Sequence, residues 1–460
     1  MATQSLPALL GGRSYLPKVD VKDIENIARR HLDIQERDSV EIVCRQRSDY
    51  DGLDYRIYKN DYALAKISVY TQGTHPEKIA SISATKLWLK QNTTVPLSLC
   101  ITSVEDEIHG IEYDWQLGLF YPDCLKQWGL QRLDLKWDNM AMDVKEQLIK
   151  SLAHYHSQAL RPRNKFKSGG IGSITYRSMY DSRELLRRRL VAKHLKTFEV
   201  RPSQQNGPVL QVSAWLRVRL NQARVYAEEY IPASIFTYGV DDEEIDLTSI
   251  ERLQTMISTI FSPEINEIKE TVLWDPYFYL DKIMVSNEGK LAAFDSMLEV
   301  ELTPLWSCYR LPRILFGPDR AKEPVKDHYN VDKSPPEITS QIDNDPEYEY
   351  SYDPDVEEDE DGELVGEERA RLRSLYPSHL EEYSRTKLRK VYLETMESLH
   401  PGFQHRMKHY ELFNDFDTAV WLCEAYPGGH AVHAIEKWLD ALEARNYYSL
   451  ARNLKGDLAT

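Results

Sequence analysis

The stretch LWDPYFYLDKIMVSNEGKLAAFDS, Leu273 to Ser296, constrains this chain more than any other. The apolar runs IMV and LAAF flank the turn SNEG, the pattern of a tight β-hairpin. A polar, aromatic loop precedes the hairpin, and Asp295 follows it. Loop, strand, turn, strand and acid therefore succeed one another within two dozen residues.

The chain before this stretch divides in two. Residues 1–35 are a lead-in with a helix expected at VKDIENIARRHL. From 36 to 115 the pattern is rich in strands. SVEIVCRQR, LDYRIYKN and YALAKISVY carry the Val, Ile, Leu and Tyr content of strands, as do PLSLCITSV and GIEYDWQLG after them. Between them PEKIASISATKLWLKQN has apolar residues at helical spacing. Strand, strand, strand, helix, strand, strand is the order of a kinase small lobe. From 116 to 322 the pattern is helical. MDVKEQLIKSLAHYHSQAL places Val144, Leu148, Leu152 and Tyr155 on one stripe, with Asp143 and Glu146 as a capping box. RELLRRRLVAKHLKTF, SAWLRVRLNQARVYAEEYI and SIERLQTMISTIF read as further helices. Residues 323–370 hold an acidic loop, and 371–460 hold C-terminal helices at HLEEYSRTKLRKVYLETMESL, DFDTAVWLCEAY and AVHAIEKWLDALEARNYYSLARNL.

Charge belongs to one segment. Of the formal net charge of −16, fourteen acids lie between Gln341 and Glu368 with no Lys or Arg among them, which leaves −2 for the rest. Like charges at that density repel, so this stretch is expected to be disordered and suited to a basic surface. A near-neutral remainder argues against nucleic acid as partner. No apolar run approaches the ~18 to 20 residues of a membrane helix. Five scattered cysteines without a CxxC fit reduced thiols in an intracellular compartment. The N-terminus lacks a secretory apolar region. A plain cytosolic tail is favoured over a mitochondrial transit peptide, which Arg13, Lys18 and the absence of acids before Asp20 leave open.

Transfer of a γ-phosphoryl group needs few parts. A small-lobe lysine holds the phosphates, a loop Asp accepts the hydroxyl proton, and an Asn and a second Asp hold Mg²⁺. ETVLWDPYFYLDKIMVSNEGKLAAFDS resembles the catalytic segment of the aminoglycoside phosphotransferase-like family, and more narrowly its fungal branch. ISATKLWLKQNTTVP, FKSGGIGSITY, PLWSCYRLPRILFGP and HLEEYSRTKLRKVYLETMESLHPGF resemble further segments of that family in the same order. The resemblance implies an α+β, protein-kinase-like bilobal fold, with ATP and Mg²⁺ as the cofactors of its active members.

Residue by residue, the resemblance is partial. Lys66 stands where the family has its phosphate-binding Lys or Arg, and Asp295 where it has a metal-binding Asp. In the same register the family's His, base Asp and Asn fall on Asp275, Tyr277 and Lys282, and its helix Glu falls on Ile82. A phenol with a pKa near ~10 is a neutral donor at pH 7 and no base. Loss of a general base typically costs ~10² to 10⁴ in rate. Lys282 puts an ammonium where a dication should bind. Two function classes follow: a pseudoenzyme that binds a partner or nucleotide, or an active phosphotransferase on a small hydroxyl or amine substrate. In the second, Asp275 or Asp281 would rescue the site. Plainer readings stand beside these: Lys66 as a snorkelling surface lysine, Asp295 as a helix cap, Asp275 as a turn residue. The basic stretch RELLRRRLVAKHLK reads as a solvated helix face, and His154, His156, His430 and His433 read as structural, not metal-binding.

Overall fold

The computed structural model describes residues 20–31, 34–46, 52–59, 62–70, 85, 88–96, 98–104, 117–122, 131–161, 164–167, 171, 174–178, 181–187, 209–238, 247–274, 280–294, 301–329, 366–426 and 431–454. The first nineteen residues and most of the acidic stretch lie outside these; the end of that stretch, from Gly366, is helical.

Asp20 accepts a hydrogen bond from the Lys22 N–H at 2.9 Å and opens α1, Val21–His31. Its buried face is Ile24 and Ala28, four residues apart. Arg29 ties it down, donating to Glu25 at 2.8 Å and to the Gln35 carbonyl at 2.7 Å. Five strands follow: β1 Val40–Gln46, β2 Gly52–Lys59, β3 Tyr62–Tyr70, β4 Ser98–Val104 and β5 Leu117–Pro122. They form one antiparallel sheet in the order β1-β2-β3-β5-β4. Tyr55, Ile57 and Ile67 are buried, the first two at alternate positions of β2, as a half-buried strand requires. Residues 88–92, between β3 and β4, are helical. The order is the one expected, but the last strand begins at Leu117, while most of GIEYDWQLG lies outside the described residues.

The second part mixes helices with three small sheets. In chain order its elements are β6 Gln131–Arg132, α2 Met142–Ala159, β7 Lys165–Lys167, β8 Ile174–Ser178, β9 Asp181–Arg187, α3 Val212–Tyr238 and α4 Thr248–Ile260. Then come α5 Pro263–Asn266, β10 Glu270–Trp274, β11 Ile283–Val285, β12 Leu291–Phe294, β13 Glu301–Pro304, α6 Gly366–Leu399, α7 Phe403–His409, α8 Glu411–Ala425 and α9 Ala431–Glu443. The sheet orders are β13-β10-β7, β12-β11-β6 and β8-β9. The fold class is α+β, as expected.

Three local expectations fail for stated reasons. The helix expected from Arg183 begins instead as β9, which pairs with β8 from Ile174↔Arg187 to Ser178↔Asp181. Cross-strand pairing in a hairpin outweighs the helix propensity of its Leu and Arg residues, which tertiary context readily overrides. The capping box of Asp143 and Glu146 does not form. Ala141 is the N-cap with no side-chain bond, and Asp143 sits inside the first turn, where its charge faces the helix dipole. The last helix stops at Glu443 rather than running to Leu454. Arg445 takes a left-handed φ of 58°, and the chain turns back.

The core joins α2 to α6. Leu148, Ile149, Leu152, Ala153 and His156 of α2 meet a buried row on α6 that includes Leu388, Tyr392 and Met396. The loop RLPRILFGP is held from α6. Buried Arg389 donates to the carbonyls of Leu315, Gly317 and Pro318 at 2.9, 2.6 and 2.5 Å. A second anchor is ionic and also buried. Asp417 of α8 accepts from Arg219 of α3 on one oxygen and from Arg310 at 2.6 Å on the other. Arg219 grips Glu424 as a fork at 2.8 and 2.7 Å. The C-terminal segment closes on α8, where Asp415 accepts from the Tyr447 hydroxyl at 2.6 Å and from the Leu450 and Ala451 N–H groups at 3.0 and 3.1 Å.

Candidate functional site

The hairpin of the opening stretch forms as its sequence requires. β11 and β12 pair antiparallel with Ile283 opposite Phe294 and Met284 opposite Ala293. Ile283, Val285 and Phe294 face the core. The turn is fixed by Gly289, whose φ of +76° suits glycine, and by the Gly289 N–H donating to the Ser286 carbonyl at 2.9 Å. No side chain fits there, since a Cβ on Gly289 would lie 2.5 Å from Val144 Cγ1. Lys136 closes over the turn, its ammonium donating to the carbonyls of Ser286 and Asn287 at 3.2 and 2.6 Å. β6 extends this sheet on the β11 edge.

Lys282 ends the short helical turn Leu280–Lys282 and leads directly into Ile283. It is half-buried. Asp295 follows Phe294 in sequence and lies outside the described residues, as do Asp275, Tyr277 and Ile82. The structure therefore brings Lys282 to the first rung of the hairpin and leaves those four positions undescribed. Lys66 lies on β3, the third strand of five in the small sheet, opposite Arg56 of β2 and Phe120 of β5. No group of three or more His, Cys, Asp or Glu side chains that could hold a metal ion occurs among the described residues.

Beneath the strand ends the packing is aromatic. Trp274, the last residue of β10, lies face to face with His156 of α2, ring centroids 3.9 Å apart and 13° from parallel. A hydrogen bond joins His156 Nδ1 to the Tyr392 hydroxyl of α6. Burial pushes the His156 imidazole down to about 3, against a weaker opposing backbone contact at Cys308, so the ring is neutral at physiological pH. Phe403 meets the same imidazole edge-on at 5.7 Å. Next to this stack is a cavity of about 40 Å³, lined by Trp88, Leu89, Leu152, Trp274, Phe294 and Tyr392 among others.

The turn after residues 88–92 seals the other side. The Thr94 N–H donates to Gln158 Oε1 at 2.8 Å, and Gln158 Nε2 donates to Thr94 Oγ1 at 2.7 Å. The Phe294 N–H donates to the Pro96 carbonyl at 2.9 Å. The segment NTTVP thus links the small sheet to both α2 and the hairpin. Sequence reasoning identified His156 as structural, which the burial bears out, but not its partners. Nothing in AHYH, VLW or KVYLE signals that three side chains so far apart in the chain meet.

No protein-family model matches the chain, and no curated protein matches it. Solved structures do. APH(2")-IIia, in complex with GDP and kanamycin, is 11% identical, with 93% of this chain and 100% of that chain covered and a TM-score of 0.40. A macrolide 2'-phosphotransferase type I is 9% identical over 94% and 98% of the two chains, with a TM-score of 0.39. The macrolide 2'-phosphotransferase MphH from Brachybacterium faecium is 10% identical over 94% and 96%, with a TM-score of 0.37. No helix among the described residues is long and apolar enough to cross a membrane.

Proposed function

We propose that this chain is a kinase-like, phosphotransferase-related protein that acts by binding a nucleotide or a partner, without efficient phosphoryl transfer. The observation that carries this reading is the place of Lys282. It stands half-buried at the entrance to β11, one residue before the rung Ile283↔Phe294, while Asp295 comes one residue after it in sequence. An ammonium at the position where the resemblance expects a metal-binding amide repels a dication. With Tyr277 in the base position and Lys282 in the Asn position, proton acceptance loses its usual residue and metal binding keeps Asp295 alone.

Two further features support binding. Lys66 retains a phosphate-holding residue type on an inner strand of the small sheet, where a nucleotide's phosphates would meet a point charge. The acidic stretch between Gln341 and Glu368 is suited to a basic surface on a partner. An intracellular, cytoplasmic setting fits the scattered cysteines.

The test is ATP consumption by the purified full chain, with Mg²⁺ and a panel of alcohol and amine acceptors. Turnover at the background rate is expected. Steady turnover lost on Asp295→Ala would replace this reading with an active phosphotransferase acting on a small hydroxyl or amine substrate.

A further inference from the structure

Residues 88–95, α2, the ends of β10 and β12, and α6 together wall the cavity of about 40 Å³. Several of its side chains are polar, yet their polar atoms turn to partners within the wall. Tyr392 Oη and His156 Nδ1 share one hydrogen bond, Thr93 Oγ1 donates to the Leu89 carbonyl at 2.6 Å, and Asn164 Nδ2 donates to the Gln158 carbonyl at 2.7 Å. Asn164 Oδ1, His156 Nε2 and Trp274 Nε1 are fully buried, beyond the reach of a water in the cavity. What faces the space is therefore carbon, from Leu152, Leu273, Phe294 and Ile314 among others. A buried water needs about three polar partners and finds almost none here, so the cavity favours an apolar occupant.

Volume and shape narrow the occupant further. One water takes about 10–15 Å³ of such space, so the cavity holds about three or four heavy atoms, well short of the ~150 Å³ that accepts benzene. A slim chain fits and an aromatic ring does not. The cavity is also partly open. His156, Leu273, Trp274, Phe294 and Tyr392 are buried at its closed end, whereas Trp88, Thr93, Val95, Tyr155 and Ala159 keep some exposure. The way in therefore runs between residues 88–95 and α2, beside the Thr94–Gln158 pair.

From this we infer that the cavity is a binding site for an unbranched alkyl group of about three or four carbons, carried by a small ligand whose polar end stays at the half-exposed side. Burial of its methylenes supplies the affinity, and the closed end sets the length. The site stands apart from the proposed function, since none of its residues is a candidate for nucleotide, base or metal. An occupant would touch residues 88–95 and the α2–α6 core at once, and so would brace the small sheet's segment against that core.

Methyl NMR of the full chain tests the site, with xenon and the straight-chain alcohols from ethanol to octanol as probes. Xenon, which enters dry apolar space, should shift the methyls of Leu89, Val95, Leu152, Leu273 and Ile314. The alcohols should shift the same methyls saturably, with affinity rising about fourfold per methylene and levelling off past butanol. Ala159→Leu adds carbon at a lining position of α2 and should weaken butanol binding at least about tenfold. Val95→Leu does the same from the side of residues 88–95, and decides if Ala159→Leu does not fold. If neither variant folds, the wild-type dependence on chain length decides. Methyls that no probe shifts, shifts undiminished in the folded variants, or affinity that climbs unbroken to octanol would each overturn the assignment. A chain that binds no nucleotide would count against the proposed function and leave this result intact.

Discussion

The backbone N–H of Phe294 donates to the carbonyl of Pro96 at 2.9 Å. This bond ties the last residue of the hairpin, directly before Asp295, to the turn that leaves the small lobe's helix. The same turn is bound to α2 through Thr94 and Gln158. The two parts of the chain are thus registered against each other at the end of the hairpin. Gln158→Leu would remove both bonds to Thr94, an exposed residue that can turn to water instead. It should cost about 0.5–1.5 kcal/mol of stability in urea unfolding, the net worth of a hydrogen bond whose other partner stays solvated.

The hairpin turn is a second sensitive point. Gly289→Ala puts a methyl 2.5 Å from Val144 Cγ1 and 2.9 Å from Met140 Cε, at a φ of +76°. Left-handed strain and overpacking both oppose it, and a loss of about 1–3 kcal/mol is expected. A variant as stable as the wild type would show that the turn is not seated on α2 as described.

Asp417 answers to two arginines in a buried setting. Removing one member of such a cluster leaves uncompensated charge, so Asp417→Ala should destabilise by about 3–5 kcal/mol. Replacing the exposed Glu228, which pairs with Arg224 on the α3 surface, should cost less than about 1 kcal/mol. Equal losses at the two sites would contradict the burial of the cluster.

Asp415 makes stability depend on pH. Burial raises its carboxyl to about 6, outweighing the lowering by Tyr447 and the backbone N–H groups of Ala451 and Leu450. A folded pKa above the unfolded value near ~4 gives stability that is present at low pH and lost as pH rises through about 6. Asp415→Asn cannot titrate. The stability advantage of the wild type over this variant should therefore shrink between pH 5 and pH 7.5, in paired urea titrations. An advantage that grows with pH would mean that the donors hold the carboxylate ionised.

Much of this was legible in the residues. IMV, SNEG and LAAF specify the hairpin because strand propensity, turn glycine and alternation agree there. The stripe of Leu148, Leu152 and Tyr155 specifies α2 for the same reason. Legibility fails where tertiary pairing decides. RELLR has helix-forming residues, and becomes a strand because β8 offers it a partner. AVHAIEKWLDALEARN has no glycine to announce its end, and Arg445 supplies the left-handed turn instead. In the site, Lys282 stands at the start of the hairpin, while Asp275, Tyr277 and Asp295, which define its register, lie outside the described residues. The His156–Tyr392 pair could not be read, since contacts across 236 residues leave no periodic trace.

Calorimetric titration of ATP into the full chain, with and without Mg²⁺, tests the central claim most directly. The proposal predicts either no binding or binding of equal strength in both conditions, weakened by Lys66→Ala. In the pair Tyr277→Asp with Lys282→Asn, Mg²⁺-dependent binding should emerge. Wild-type binding that requires Mg²⁺ and vanishes on Asp295→Ala would contradict the claim.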